Sequence, residues 1–189
     1  MVATPVKKLT FEEYLAYDDG SGFHHELVDG RLELMNPPTF EHCFIAKFLE
    51  QLLDEEIKRL GLPWLTCREV GVRTGKNKSR LTDLCVAMQE QVRDLLKASA
   101  VFESAPLLIV EVVSPDSIKR DYRYKRSEYA AVEVPEYWIV DPLERKISVL
   151  LLEDGLYEET VFTGDEKIIS RMFPEIAIAV AQVLKAGNI

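Results

Sequence analysis

The stretch "APLLIVEVVSPDS" (residues 105–117) decides the fold and raises a chemical question. Residues 107–113 form a short aliphatic run rich in β-branched side chains, and Ser114-Pro115 ends it. Such a run predicts a central β-strand with both faces covered. A carboxylate in the middle of that run, Glu111, is costly to bury unless a partner compensates its charge. Either a structural ion pair holds Glu111, or this residue is part of a functional site.

The composition is that of an ordinary globular protein. The chain has 189 residues, of which 47% are hydrophobic and 29% charged, and we expect residues 1–189 to form a single domain. The cysteines Cys43, Cys67 and Cys85 form no Cys-x-x-Cys pair, which argues against a disulfide framework or a zinc site. Since we find neither a signal peptide nor an apolar run long enough to cross a bilayer, we expect a soluble cytoplasmic protein without membrane contact.

The charge distribution bears on nucleic-acid binding. The net charge is −9, with 32 acidic against 23 basic residues, which argues against a protein that coats nucleic acid. Basic residues are nevertheless concentrated in "KNKSR" (76–80) and "KRDYRYKR" (119–126). Each cluster is either a local phosphate-binding patch or a solvated face of a loop or helix.

Hydrophobic periodicity and turn residues predict the order of the elements before and after the central strand. Before it we expect a short helix capped by Thr10 (9–17), a hairpin turned by Asp29-Gly30 (24–35), a long helix (39–60), two strands (64–74 and 81–88) and a short helix (89–98). After it we expect a helix (117–132), two strands (136–141 and 146–153), a hairpin strand (156–162) and a closing helix (175–184). The order predicts a mixed α/β fold in which helices flank one sheet.

The predicted helix after the central strand has an apolar face that includes a lysine. The members of this face recur at steps of four and three residues: Ile118, Tyr122, Lys125, Tyr129 and Val132. We expect this face to pack on the sheet, so that Lys125 points inward with Asp121 one turn before it. The arginines of the same helix fall elsewhere around the circle, on the expected solvated side: Arg120, Arg123 and Arg126.

A lysine that points inward needs an anion, and two carboxylates are candidates. Glu111 lies on the central strand, and Asp83 lies at the entry of a neighbouring strand. One interpretation is a structural pair of Lys125 with Glu111 or Asp121, which contributes little net stability compared with apolar packing. The other is a metal site, because two carboxylates on adjacent strands bind Mg²⁺ through oxygen and leave waters on the ion. There the lysine would stabilise negative charge developing on a phosphoryl group.

Several motifs, taken in order, give the chain a family resemblance over residues 9–185. They are "HELVDGRLELM", "TDLCVAM", "LLIVEVVSPDS", "RDYRYKRSEYAAVEVPEYWIVDP" and "ISVLLLEDGLYEE". In this combination the chain resembles the bacterial Uma-two family of predicted restriction endonucleases, which is assigned to the PD-(D/E)XK nuclease fold. The resemblance implies a restriction-endonuclease-like fold and hydrolysis of DNA phosphodiester bonds that depends on Mg²⁺ or Mn²⁺.

The resemblance also implies roles for individual residues. Asp83 and Glu111 match the metal ligands, and the backbone carbonyl of Val112 completes the contribution of the protein. The usual lysine of the fold lies two residues after the glutamate, where this chain has Val113. Lys125 resembles the replacement that reaches the same space from the following helix.

Two further positions match the family, each with an ordinary alternative. Glu26 in "HELVDG" matches an acidic residue that orients a water molecule; alternatively, it is a hairpin residue paired with a basic neighbour. His42 matches a recurring position near the start of the long helix, where a histidine is more often a capping or packing residue. The remaining aromatic candidates are interpreted as core: Tyr122, Tyr129, Tyr137 and Trp138.

One departure from the family pattern concerns Asp83. The family usually has Arg-Pro before this aspartate, whereas Leu81-Thr82 precede it here. Either Arg80 substitutes one position early, or the site is weakened.

Three hypotheses follow. The first is a Mg²⁺-dependent DNA endonuclease, homodimeric because cutting two strands needs two sites. The second is a catalytically silent nucleic-acid-binding or interaction protein on a nuclease scaffold. The third is a purely structural polar network of Lys125, Glu111 and Asp83, which apolar residues of similar size would replace at little cost.

Overall fold

Two β-sheets, rather than the one predicted, organise the computed structural model, which describes residues 8–188. Within that range the helices are α1 (Phe11–Leu15), α2 (Phe40–Leu60), α3 (Gln89–Leu95), a π-helix (Arg120–Lys125), α4 (Arg126–Ala131) and α5 (Val180–Lys185). The strands are β1 (His25–Val28), β2 (Arg31–Leu34), β3 (Trp64–Arg68), β4 (Gly71–Gly75), β5 (Lys78–Leu81), β6 (Leu84–Met88), β7 (Val101–Phe102), β8 (Leu108–Val112), β9 (Glu136–Asp141), β10 (Lys146–Glu153) and β11 (Leu156–Thr163).

The larger sheet has the strand order β11-β10-β9-β8-β6-β3. Strand β8 pairs in parallel with β9 and antiparallel with β6, and all five of its residues are buried, which confirms the predicted central strand. Helices α2 and α5 cover one face of this sheet, and Tyr129 of α4 packs in the apolar cluster on the other. Because both faces are covered, a charged group on β8 can be compensated only by protein partners or by a buried ligand.

The smaller sheet has the order β2-β1-β5-β4-β7 and contains the predicted hairpin. Asp29 and Gly30 turn the hairpin with φ angles of +50° and +83°, as expected for an Asp-Gly turn. Leu27 of β1 is fully buried and packs with Phe11 of the capped N-terminal helix. Glu26, on the same strand, is also fully buried.

The single-sheet prediction was wrong because, at two places predicted to be continuous strands, the chain crosses from one sheet to the other. The predicted strand 64–74 breaks at Glu69, whose φ of +54° turns the chain from β3 into β4. The predicted strand 81–88 also divides, because Leu81 ends β5 and β6 begins only at Leu84. Thr82, between β5 and β6, is hydrogen-bonded to the segment between β3 and β4, since its N–H and its hydroxyl both donate to the Val70 carbonyl.

The predicted helix 117–132 is a π-helix followed by the α-helix α4. The wider π-helical turn, with i→i+5 hydrogen bonds, alters which residues face inward. Asp121, Lys125 and Tyr129 are buried at steps of four, whereas Ile118, expected on the packed face, is 45% exposed. The π-helix therefore brings a carboxylate and an ammonium inward on successive turns.

The last predicted helix begins later than expected, at Val180 rather than near residue 175. Ile176 and Ile178 are buried while Ala177 is exposed, so this stretch alternates like an extended segment. Among residues 8–188, no helix combines the length and the apolar character needed to cross a bilayer.

Candidate active site

Lys125 lies at the centre of a buried charge cluster where the two sheets meet. Its Nζ is 2.8 Å from Oε2 of Glu111 and donates a 2.7 Å hydrogen bond to the Leu81 carbonyl. The nearest oxygens of Glu26 and Asp121 are 3.6 and 3.8 Å away. The inward orientation predicted for Lys125 is confirmed, while its catalytic role stays a prediction.

Glu111 has both carboxylate oxygens engaged. Oε2 contacts Lys125, and the Tyr129 hydroxyl donates a 2.7 Å hydrogen bond to Oε1. Burial raises the pKa of Glu111 well above its usual range, and nearby Asp83 and Asp121 add to this effect against the opposing ammonium. Tyr129, predicted to be a core residue, is therefore also a polar partner of the site.

The protonation of Lys125 follows from its surroundings. Burial would lower the pKa of its ammonium, but the neighbouring carboxylates outweigh burial and hold the pKa above its usual value. These carboxylates, in order of effect, are Glu111, Glu26, Asp121 and Asp83. Lys125 is thus a fixed positive charge at neutral pH and not a proton acceptor.

Asp83 lies between β5 and β6 and is the most accessible acid of the cluster. The N–H of Val112 donates a 2.7 Å hydrogen bond to Oδ2, and Nε2 of His42 lies 3.3 Å from Oδ1. About a quarter (25%) of the Asp83 side chain is exposed. Burial opposes ionisation, but His42, Lys125 and the Val112 N–H together hold the pKa of Asp83 below its usual range. Asp83 is therefore an ionised oxygen donor at a solvent-accessible position.

The backbone of β8 presents Val112 to the side of Asp83. The N–H of Val113 points the other way, to the Val140 carbonyl of β9, as the alternation of a strand requires. Because the N–H and C=O of one strand residue point to the same side, the Val112 carbonyl also faces Asp83. This orientation agrees with the ligand role implied for Val112, which stays a prediction.

A cleft of about 300 Å³ opens beside the cluster. Asp83, His42 and Lys125 line it, together with Arg68 and Arg120. Arg120 was expected on the solvated side of its helix, and that expectation was wrong because the π-helix changes the angular position of its residues. A ligand in the cleft would thus meet charged groups of both signs.

Glu26 is buried between two cations. Nη1 of Arg80 donates a 2.7 Å hydrogen bond to Oε2, and the Leu81 N–H donates one of 3.1 Å to Oε1. Arg80 also makes two hydrogen bonds to Glu128, from Nε at 2.8 Å and from Nη2 at 2.7 Å. The pairing of Glu26 with a basic neighbour is therefore present, and its role with water stays a prediction. Glu128 was missed in the sequence because it carries no signal beyond an ordinary helical charge.

Asp121, which the sequence analysis named as a possible ion-pair partner of Lys125, is buried one helical turn before it. The Ser117 hydroxyl donates a 2.5 Å hydrogen bond to Oδ2, whereas Oδ1 has no hydrogen-bond partner among residues 8–188. The side chain is only 2% exposed, and burial raises the pKa of Asp121. The Tyr137 hydroxyl donates to the Asp121 carbonyl and fixes this turn of the π-helix.

The cluster carries an excess of acidic groups that suits a hard cation. Four carboxylates surround one ammonium: Glu26, Asp83, Glu111 and Asp121. In the described part of the chain, no three His, Cys, Asp or Glu side chains converge as a closed metal site. An ion at this cluster would therefore have fewer than three such side-chain ligands and would complete its coordination with water, as Mg²⁺ often does in proteins.

Comparison with solved structures defines the class of fold. The chain is similar to the crystal structure of a "putative nuclease belonging to DUF820" from Anabaena variabilis ATCC 29413, with a TM-score of 0.79 and 17% identity. That similarity covers 95% of this chain and 99% of the other, so the predicted nuclease-like mixed α/β fold is confirmed. The type IIG restriction endonuclease BpuSI matches with a TM-score of 0.40 and 14% identity, over 81% of this chain and 17% of the other, which is too low to bear on fold or function.

The family follows from the sequence itself. Residues 11–181 match the Uma2 family, described as "Putative restriction endonuclease", and the chain belongs to that family. The family resemblance predicted from the motifs is thereby confirmed. A search of curated proteins found no match.

Proposed function

We propose that this protein is a metal-dependent endonuclease that hydrolyses phosphodiester bonds in DNA. Membership of a family of restriction endonucleases and a nuclease-like fold support a nuclease. The observation that carries the finer proposal is the Lys125 ammonium, 2.8 Å from Glu111 and beside the ionised Asp83 at a cleft. An ammonium and two acids next to an open cleft are suited to phosphoryl chemistry.

In this proposal Asp83, Glu111 and the Val112 carbonyl hold Mg²⁺ or Mn²⁺. When bound, such an ion lowers the pKa of water and polarises a phosphoryl oxygen. Lys125 remains protonated and stabilises the negative charge that develops on the phosphate. Glu26 orients the attacking water, and its own position depends on the hydrogen bond from Arg80.

Nicking of supercoiled plasmid DNA in Mg²⁺ or Mn²⁺ tests the proposal. We expect Asp83→Ala, Glu111→Ala and Lys125→Ala each to lower the rate by about 10²-fold or more, the scale of losing one preorganised electrostatic group. Lys97→Ala, which removes an exposed lysine, is the matched control and should cleave like the natural chain. Activity that survives all three site substitutions would exclude these residues as the catalytic group.

A second candidate is a catalytically silent nucleic-acid-binding or interaction protein on the same scaffold. It is favoured by Glu111, whose two oxygens are already engaged by Tyr129 and Lys125, and by Leu81-Thr82 in place of the usual Arg-Pro. This candidate predicts no specific Mn²⁺ binding. Titration calorimetry that finds a Mn²⁺ site lost in Asp83→Ala would decide against it.

We further propose a homodimeric, cytoplasmic protein whose residues 1–189 form one domain. Two active sites are needed to cut both strands of a duplex, which supports the dimer. Light scattering coupled to size-exclusion chromatography should give twice the mass of one chain. A monomer that still makes double-strand breaks would contradict this assignment.

A further inference from the structure

We propose that Arg68 and Arg120 bind backbone phosphates of the DNA strand that enters the cleft. This inference rests on the proposed function and deepens it, since it names the groups that hold the substrate. Arg68 ends β3 and Arg120 begins the π-helix, so two different elements supply the pair. Both side chains line the same cleft as Asp83 and Lys125.

The first argument is that these arginines have unused donors. Nε of Arg68 and Nε of Arg120 are both buried and have no hydrogen-bond partner among residues 8–188. A buried N–H donor without an acceptor is energetically unfavourable. Both residues line one cleft, so an anionic ligand bound there would lie beside two guanidinium groups whose donors are not all used.

The second argument comes from comparison with the structural arginines of the same chain. Arg80 and Arg126 contact carboxylates at 2.7 and 2.6 Å. In contrast, the carboxylate oxygens nearest to Arg68 and Arg120 are 3.8 and 3.9 Å away, beyond normal hydrogen-bond length. The two cleft arginines therefore make only long ion pairs, to Glu50 and Asp121, and their guanidinium groups can still form hydrogen bonds with a ligand.

The third argument is chemical. A guanidinium presents a planar fork that matches two phosphate oxygens, and most protein–DNA hydrogen bonds go to the backbone. The side chains of Arg68 and Arg120 are 27% and 26% exposed, enough for contact with a strand in the cleft. Because Glu69 and Asp116 also line the cleft, a phosphate is favoured at the arginines rather than throughout it.

Binding can be measured separately from cleavage. Fluorescence anisotropy of a labelled DNA oligonucleotide, single-stranded or duplex, is recorded across salt concentrations with Ca²⁺ in place of Mg²⁺. We expect Arg68→Gln and Arg120→Gln each to reduce the slope of log K against log salt by about one, and the double variant by about two. Arg123→Gln is the matched control, because Arg123 lies exposed on the same π-helix.

Thermal melting checks that each variant is folded. A second pair of variants separates the effect of the charge from that of the guanidinium. Arg68→Lys and Arg120→Lys keep the charge but lose the fork, so they should keep the slope and bind DNA less tightly. Folded glutamine variants with unchanged affinity and slope would overturn the inference, even if the natural chain cleaves DNA. Inorganic phosphate that binds at the two arginines without competing with DNA would also overturn it, by indicating a site for a free anion.

The failure of this inference differs from the failure of the proposed function. A natural chain that binds DNA through both arginines but never cleaves it would support the inference and end the endonuclease assignment. A natural chain that does not bind DNA at all would overturn both.

Discussion

The Nζ atom of Lys125, on the π-helix, lies 2.8 Å from Oε2 of Glu111, in the middle of the central strand β8. This pair explains how so apolar a strand accommodates a carboxylate. It does not by itself separate structure from function, because internal ion pairs also occur without chemistry. Glu26 and Asp121 also lie 3.6 and 3.8 Å from the ammonium, so the cluster is larger than a single ion pair.

Removal of the Lys125 ammonium should lower the stability of the folded protein. Lys125→Met leaves Glu111 and its neighbours as uncompensated buried acids, so we expect the free energy of unfolding to fall by about 3–5 kcal/mol. Urea denaturation measures the loss, and Lys97→Met, at an exposed position, is the matched control. A loss no larger than that of the control would mean that the cluster does not need its cation.

The hydroxyl of Tyr129 should affect the site and not only the core. Tyr129→Phe removes the hydrogen bond to Glu111, and Tyr157→Phe removes a buried hydrogen bond to the Val134 carbonyl away from the cluster. We expect both variants to lose about 0.5–3 kcal/mol of stability. Only Tyr129→Phe should weaken Mn²⁺ binding in calorimetry. Equal Mn²⁺ affinities in the two variants would make Tyr129 a packing residue.

Arg80 is expected to be essential for stability because it neutralises two carboxylates. Arg80→Gln leaves Glu26 and Glu128 without their shared partner, and we expect a loss of about 3–5 kcal/mol in urea denaturation. Combining Arg80→Met with Glu26→Gln and Glu128→Gln removes the buried charges together and should restore much of that stability. If the triple variant is as unstable as the single one, shape rather than charge explains the effect.

The stability of the protein should depend on the titration of Asp121. Burial raises the pKa of Asp121 above its ordinary value of 3.8, against the opposing Lys125 and Ser117. The folded state therefore holds the proton to higher pH than the unfolded chain, and stability falls as pH rises from 3.8 through the raised pKa.

Asp121→Asn cannot ionise and should not show this fall. Its free energy of unfolding minus that of the natural chain, measured in the presence of EDTA, should increase between about pH 3 and pH 7, because only the natural chain loses stability. Asp94→Asn, at an exposed position, is the control and should give a flat difference. A flat difference for Asp121→Asn as well would contradict the raised pKa.

Local signals explain what the sequence could predict. The Asp29-Gly30 turn, the Thr10 cap of α1 and the apolar run around Glu111 each act over a few residues, and all three have the expected structure. The inward orientation of Lys125 also followed from spacing, because steps of four keep Lys125 and Tyr129 on one side of either kind of helix.

The division into two sheets had no comparable signal. Glu69 adopts a positive φ that sequence patterns assign to glycine or asparagine, so nothing at this position suggested a break between β3 and β4. No sequence signal indicated the π-helix either, and the position of Arg120 at the cleft was therefore not predicted. Tertiary packing fixed these features.

Glu136 shows why a buried glutamate in a strand is ambiguous in sequence. Like Glu111 it lies in an apolar strand, but its carboxylate accepts hydrogen bonds from Trp138 Nε1 at 2.6 Å and from two backbone N–H groups, of Arg171 at 2.9 Å and Met172 at 2.8 Å. These neutral donors stabilise the carboxylate without a lysine. Only the three-dimensional partners distinguish the structural glutamate from the candidate ligand.

The charge cluster draws Glu26 and Arg80 from the smaller sheet and Glu111 from the larger one. A nascent chain in which only one sheet has formed would hold an incomplete set of these groups. Under the proposed function, DNA cleavage would begin only after the two sheets have docked, which would keep partly folded chains harmless to the DNA of their own cell.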